Sequence, residues 1–401
     1  MRVLSANFSL LNEYPQLVKL LSYHGSLSAT ELSNLLGKSI PYVNKLVSEL
    51  LDAEIVERKG YATSSGGRKP VKFSLVADSF YIVSVAMSQY DMEYVVLDMK
   101  GNFVSEVKKH KIDIYTMHAK ELADLINAFL YTVTIPVERV ISVSISMPGF
   151  VSTERGMNLT YLPVTGSSLT SVLQEAIQIP VFIENDSTAI ALGEKTFGTA
   201  IGQNDAMVLN LGWGIGLGMI LDNKVFRGHS GLAGEFSHIS LFNNGKICAC
   251  GKRGCLETES SMRALTGKVR TELENGQKSS LMNYEEIDID AIVTEALKGD
   301  MLSVRLISEA AYNIGRGLAM LIHIMNPSII LLSGRASVIG KLWLSPIQQA
   351  IYEHSIPQLA NDTQLLISEL NVKAQLLGGA VLVIENLGQP LKNKINEIEK
   401  N

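Results

Sequence analysis

Residues 231–257 read GLAGEFSHISLFNNGKICACGKRGCLE, and the reading of the whole chain turns on them. All three cysteines of the 401 residues, Cys248, Cys250 and Cys255, fall here, with His238 ten positions before the first. Thiolate sulfur and imidazole nitrogen are the ligands Zn²⁺ prefers, and three Cys plus one His close a tetrahedron with no open position. His238, Cys248, Cys250 and Cys255 therefore predict a structural zinc, pinning a loop in which Gly245, Gly251 and Gly254 offer little packing. Glu235 sits three residues before the histidine and Glu257 two after the last cysteine. A metal knot there also fixes two carboxylates, which suits hydrogen bonding to a polyhydroxylated ligand. His238 can serve twice, one ring nitrogen on the metal and the other donating to a ligand oxygen.

GLAGEFSHI followed by CACGKRGCLE resembles the zinc and sugar-binding region of the ROK family (repressors, open reading frames, sugar kinases). The spacing is H-x9-C-x-C-x4-C with G-x-x-G-E-x-x-H ahead of it. The resemblance implies an α/β chain with a two-lobed, actin-like (ribonuclease H-like) ROK domain and a sugar lying between the lobes. It also poses a choice between two branches, kinase and repressor.

Composition narrows the class. Hydrophobic residues at 46% and charged residues at 19% describe an ordered globular protein. No run of 18 uncharged apolar residues occurs, and the N-terminus lacks a basic-then-apolar signal layout. Thiols spaced for metal favour a reducing compartment, so the expected location is cytoplasmic, with no membrane partner. The net charge of −5 is uneven: residues 1–75 carry nine basic and six acidic side chains, leaving −8 on the rest. A mildly basic head on an acidic body is the asymmetry expected when only the head meets DNA.

The head itself reads as helices and a hairpin. Leu17, Leu20 and Leu21 lie at helical spacing in YPQLVKLLSYH. Ser28, with Glu31 three residues on, forms a capping box for ATELSNLLG, which ends at Gly37. Ser39 is placed to cap a third helix, IPYVNKLVSELLDA, with Pro41 in its first turn. That helix would expose Ser39, Tyr42, Asn44 and Lys45, giving a helix-turn-helix pattern. EIVERKGYATSSGGRKPVKFSL then reads as strand, basic Gly/Ser turn and strand, a wing whose Arg68 and Lys69 could reach phosphates. An N-terminal winged helix-turn-helix of this kind, ending in GGR-x-P, is similar to the heads of ROK repressors, which ROK kinases lack. The family's usual Ser-Arg at the start of the second helix is Ser28-Ala29 here.

Beyond Phe80 the pattern becomes α/β. FYIVSVAMS and MEYVVLDM are strands joined at Gln89-Tyr90-Asp91, and RVISVSISMPGF is a buried strand ending at Gly149. VFIEND hands over to a helix at Asn185-Asp186, where free N–H groups and the helix dipole favour a carboxylate. The expected domains are 1–75 for the head, 76–195 for the first lobe with 376–401 packing back, and 196–375 for the second lobe with the zinc loop. By resemblance, Gly149, Asn185, Asp186, Glu235, His238 and Glu257 bind the sugar, and Asp186 is the general base if the chain is a kinase.

Two features favour the repressor branch. Family kinases hold Mg²⁺ and ATP phosphates with Asp-x-Gly in the first hairpin, and the matching positions near Ala86 and Ser88 hold neither acid nor glycine. In MVLNLGWGIGLGMILDNKVF the glycines 212, 214, 216 and 218 alternate, and Trp213 stands where family kinases place a phosphate-binding Thr. Alone, such glycines are a weak phosphate signal and can simply permit close backbone approach. The helical stretch 285–325 carries Met301, Met320 and Met325, expected as core filling. The reading is a sugar-responsive repressor of carbohydrate-metabolism genes. Its partners are double-stranded operator DNA and a small-molecule sugar effector, and it acts as a homodimer or homotetramer. The alternative is an ATP-dependent, glucokinase-like sugar kinase with an accessory DNA-binding head.

Overall fold

The structure is a computed structural model that describes residues 6–61, 69–243 and 245–388. Helix α1 (Ala6–Glu13) precedes the first helix expected from sequence, α2 (Pro15–His24), which buries Leu17, Val18 and Leu21. Strand β1 (Leu27–Ser28) enters α3 (Ala29–Leu36) through the capping box. Ser28 Oγ accepts the Glu31 N–H at 3.3 Å, and Glu31 Oε2 accepts the Ser28 N–H at 2.7 Å. Gly37, at φ +62°, turns the chain toward α4 (Ile40–Asp52). Ser39 occupies the N-cap position but makes no side-chain cap, contrary to expectation. Pro41 in the first turn has no N–H to offer, which removes one of the two groups a cap side chain bonds. The Ser39 carbonyl instead accepts the Val43 N–H at 3.0 Å. Strands β2 (Val56–Tyr61) and β3 (Val71–Leu75) form an antiparallel hairpin that β1 joins in the order β1-β3-β2. Arg68 lies outside the described residues.

The chain forms two compact units, one running to Asn185 and resuming at Gly379, the other spanning Asp186–Gly378. In the first, a five-stranded sheet contains β4 (Tyr81–Met87), β5 (Asp91–Asp98) and β6 (Lys108–Lys111). After helix α5 (Ala119–Thr132) comes β7 (Val140–Met147), then a short ladder of β8 (Val151–Ser152) and β9 (Met157–Asn158). Helix α6 (Leu169–Ile177) and strand β10 (Val181–Asn185) complete it. The order is β10-β7-β4-β5-β6, antiparallel through the hairpins and parallel among β4, β7 and β10. Alternation decides the faces. Val83, Val85, Val143 and Ile145 pack with α5 and α6, while Ser84, Ser142, Ser144 and Ser146 turn away from that core.

The second unit opens with α7 (Asp186–Phe197) and the antiparallel run β11 (Ala206–Leu211), β12 (Ile215–Leu221) and β13 (Lys224–Phe226). The cysteine loop follows, then α8 (Glu257–Ser260), α9 (Met262–Glu274), α10 (Ile289–Leu297) and α11 (Met301–Met325). Strand β14 (Ile329–Ser333), α12 (Lys341–His354), α13 (Pro357–Asp362), β15 (Gln364–Ile367) and α14 (Lys373–Asn386) complete the chain. The sheet order β13-β12-β11-β14-β15 repeats that of the first unit. Met207, Leu209 and Leu211 face the α9–α12 core, while Ala206 and Val208 face α7.

Three details depart from the sequence reading. The boundary falls at Asn185/Asp186 instead of residue 195, because α7 lies on β12. A Cβ at Gly218 would meet Ala191 Cβ and the Ser187 carbonyl oxygen, each at 2.5 Å. The return falls at Gly379, within α14, where a Cβ would meet Ser84 Oγ at 2.3 Å and Ser144 Oγ at 2.5 Å. That close approach accounts for the serine face of the first sheet. Finally, Met301 and Met320 are 77% and 42% exposed on the outer side of α11, and of the three methionines only Met325 packs on the core.

Candidate functional site

In the second unit three carboxylates and the cysteine cluster assemble around α7, β12 and the loop between β13 and α8. Asp186 opens α7. Its Oδ1 accepts the Ser187 N–H at 2.8 Å and the Ser187 hydroxyl at 3.1 Å, and its Oδ2 accepts Asn210 Nδ2–H at 3.2 Å. Burial raises the Asp186 pKa above the ordinary aspartate range, against the pull of those hydrogen bonds. Asn210 also donates to Ser187 Oγ at 3.1 Å, so one buried amide orders the start of the helix. Sequence reasoning missed Asn210 and Ser187. The available signal was a lone amide inside the apolar strand MVLNL.

Glu257 begins α8, and its Oε2 accepts the Ile215 N–H at 3.2 Å. Burial raises its pKa too, opposed by that bond, by Ser237 and by the charge of Arg263. Gly214 leaves room for this carboxylate, since a Cβ there would stand 3.1 Å from Glu257 Oε1. Glu235 completes the set: burial, then the negative charges of Asp186 and Glu257, push its pKa up to about 7. Glu235 thus feels the charges of both Asp186 and Glu257, and carboxylates so placed can accept several hydroxyls and repel an anionic ligand. The alternating glycines thus have packing duties: Gly216 and Gly218 admit α7, and Gly214 admits Glu257.

The cysteine loop folds back on itself beside this group. Cys248 N–H donates to the Lys252 carbonyl at 2.8 Å, Gly251 N–H to the Cys248 carbonyl at 2.9 Å, and Ser240 bridges to Cys255. Gly254, at φ +73°, lies so close to Phe242 that a Cβ would meet its carbonyl oxygen at 1.8 Å. Glu259 pairs with Lys246 and Lys268, each at 3.0 Å, tying the loop to α9. The ligand atoms of His238, Cys248, Cys250 and Cys255 lie within 4.8 Å of one another. Cys250 Sγ stands 3.7 Å from Cys255 Sγ, and Cys248 Sγ 3.4 Å from His238 Nδ1. A zinc tetrahedron with its usual bond lengths has S···S edges of about 3.8 Å and S···N edges of about 3.6 Å. The donor set therefore fits a metal of this kind. The imidazole turns Nδ1 toward Cys248 and Nε2 toward Glu235 Oε2 at 3.7 Å.

In the first unit Asn185 ends β10 and donates through Nδ2 to the Gly149 carbonyl at 3.2 Å, joining two of the expected sugar contacts. Gly149 has φ +95°, and a Cβ would lie 2.9 Å from Thr160 Cβ and 3.0 Å from Tyr161 Cδ2, so any side chain there would strain the backbone and displace its neighbours. At the far end of β4, Ser88 Oγ accepts the N–H groups of Tyr90 and Asp91, at 3.3 and 3.0 Å. The hairpin closes on itself, and Ala86 and Ser88 bring no carboxylate to it. In the head, Ser39, Tyr42, Asn44 and Lys45 are exposed on α4, and Lys45 lies 3.8 Å from Glu49. Arg58, Lys59 and Lys69 are exposed on the hairpin.

Residues 82–386, three quarters of the chain, match the ROK family. The chain belongs to the ROK family. Over 372 residues this ROK chain is 31% identical to the "Xylose repressor" of Caldicellulosiruptor bescii, covering 90% of this chain and 92% of that protein. Among solved structures it is similar to a ROK family transcriptional regulator described as a homologue of the Escherichia coli MLC protein. The TM-score there is 0.77 at 28% identity, over 95% of this chain and 97% of that one. It is also similar to a ROK family glucokinase from Streptomyces griseus in complex with glucose and AMPPNP. That TM-score is 0.64 at 29% identity, over 75% of this chain and 98% of the kinase. Among the described residues, no helix is long and apolar enough to cross a membrane.

Proposed function

We propose that this ROK chain is a sugar-responsive, DNA-binding transcriptional repressor of carbohydrate-metabolism genes. The observation that carries the reading is the extent of the likeness. The regulator is matched over 95% of this chain, whereas the glucokinase, itself almost fully covered, accounts for 75%. The α3-turn-α4 pair followed by a basic hairpin supports a winged helix-turn-helix head. Ser39, Tyr42, Asn44 and Lys45 would meet base edges and phosphates, and the positive charges of Arg68 and Lys69 would add phosphate contacts. One recognition helix offers few contacts, so the chain acts as a homodimer or homotetramer on a two-fold operator.

The effector is a free sugar. Asp186, Glu235, His238 and Glu257 are its proposed contacts in the second unit, and Gly149 and Asn185 in the first. The three carboxylates disfavour a sugar phosphate. Zinc on His238, Cys248, Cys250 and Cys255 is structural and holds His238 and Glu257 in place. Sugar binding shifts the population toward a state that releases the operator. Moving that equilibrium from 1:99 to 99:1 requires about 5.5 kcal/mol of differential affinity. Phosphoryl transfer needs metal-held phosphates as well as a base, and the hairpin at Ala86–Ser88 and the side chain of Trp213 supply neither.

The test combines two measurements on the full chain. Operator fragments selected from random DNA should bind with nanomolar affinity and dissociate when one sugar of a panel is added, and that sugar should raise the melting midpoint. A sugar phosphate formed from ATP and Mg²⁺ at roughly 1–100 s⁻¹, and lost in Asp186→Asn, would instead establish the kinase.

A further inference from the structure

Tyr90, Tyr115 and Tyr161 come from three separate loops of the first unit and meet in a row. Tyr115 packs edge-on with Tyr161, ring centroids 5.5 Å apart at 88°, and tilts against Tyr90 at 6.3 Å and 46°. Core aromatics are buried, yet Tyr90 and Tyr115 are 44% and 51% exposed. The row is braced from its backbone: Ile112 N–H donates to the Tyr90 carbonyl at 2.9 Å, and Tyr115 N–H to Asp113 Oδ1 at 3.0 Å. Asn158 Oδ1 accepts the Tyr161 N–H at 2.9 Å, while its Nδ2 donates to the Pro148 carbonyl at 2.9 Å. The Tyr161 ring lies against Gly149, whose carbonyl Asn185 binds. The row thus starts at two proposed sugar contacts and runs outward by two ring steps.

We propose that Tyr90, Tyr115 and Tyr161 form an aromatic platform that receives the second ring of a neutral oligosaccharide whose first ring lies at Gly149 and Asn185. The effector class is therefore a disaccharide or longer glycoside. Tyrosine pairs an apolar ring with a polar tip, which matches a sugar ring with its C–H face and hydroxyl edge. The platform extends beyond one sugar ring, more than a monosaccharide can cover. The Asp113 carboxylate at its border disfavours an anionic ligand.

The inference rests on the sugar-responsive reading, and its test keeps the two apart. Calorimetry on the full chain would compare xylose with xylobiose, glucose with cellobiose, and N-acetylglucosamine with chitobiose. One disaccharide should bind about tenfold more tightly than its monosaccharide. Tyr115→Ala should abolish that gain and leave monosaccharide affinity unchanged, while Tyr115→Phe should keep it. Equal affinities for both lengths, or a Tyr115→Ala loss shared equally by both, overturn the platform while the sugar-responsive reading stands. Binding of no sugar of either length overturns both.

Discussion

Replacing Asp186 with Asn separates what this side chain does for the fold from what it does for the ligand. In the unliganded protein the carboxyl group is buried and its pKa is raised, so ionising it opposes folding. Asparagine keeps the shape and removes the charge. Its Oδ1 can go on accepting from Ser187, but its new N–H group would face Asn210 Nδ2, now 3.2 Å from Asp186 Oδ2. A flip of the Asn210 amide turns that clash of donors into a hydrogen bond but gives up its bond to Ser187 Oγ, so folding should be little changed. The sign with pH follows from linkage. A carboxyl with a raised folded pKa favours the native state below its unfolded value of about 3.9. That contribution is lost as pH rises through the folded value. The difference in midpoint between Asp186→Asn and the parent should therefore grow in the variant's favour from acid to neutral pH.

The ligand sees the opposite. A sugar hydroxyl donating to a carboxylate makes a charge-assisted bond, whose loss costs about 1.5–3 kcal/mol. Sugar affinity should fall by roughly 10- to 150-fold, with operator affinity in the absence of sugar unchanged. Calorimetry gives the affinity, and pH-resolved melting gives the stability. Trp213, next to the Gly214 that makes room for Glu257, offers a fluorescence signal for the same titration. A variant that binds sugar within twofold of the parent removes Asp186 from the site. A variant that melts lower at neutral pH than at acid pH, relative to the parent, shows that the buried charge does not oppose folding.

Three further outcomes are expected. Purified protein should carry one zinc per chain by elemental analysis, and Cys250→Ser or a strong chelator should remove the metal and lower the melting midpoint. Joint replacement of Arg68 and Lys69 by Ala should weaken DNA binding across sequences. The slope of log affinity against log salt should flatten by about 0.9 per lost phosphate contact, read by anisotropy titrations. Gly218→Ala should destabilise the second unit by about 1–3 kcal/mol in denaturant titrations. Its Cβ has only 2.5 Å to the Ser187 oxygen and Ala191 Cβ, so α7 must lift from β12.

What the sequence by itself determined is what chain-local chemistry encodes. Three thiols and an imidazole at chelating spacing announce their joint site, because one short loop must bring them together. The Ser28–Glu31 box and the Gly37 stop are written within a single turn of helix. Alternation in VISVSISM shows a strand with two unlike faces. What covers the serine face is not local. It is the approach of α14 at Gly379, some 235 residues beyond Ser144, seen only when both segments are in place. The same holds for the alternating glycines, whose use as seats for α7 and Glu257 depends on helices from elsewhere in the chain. The repeated strand order of the two units leaves no sequence repeat, because topology constrains the period of burial and not residue identity. Asn210 beneath Asp186, the raised pKa of Glu235 and the tyrosine row all arise between residues far apart in sequence. Their distances, and the burial that sets their charges, exist only in the folded chain.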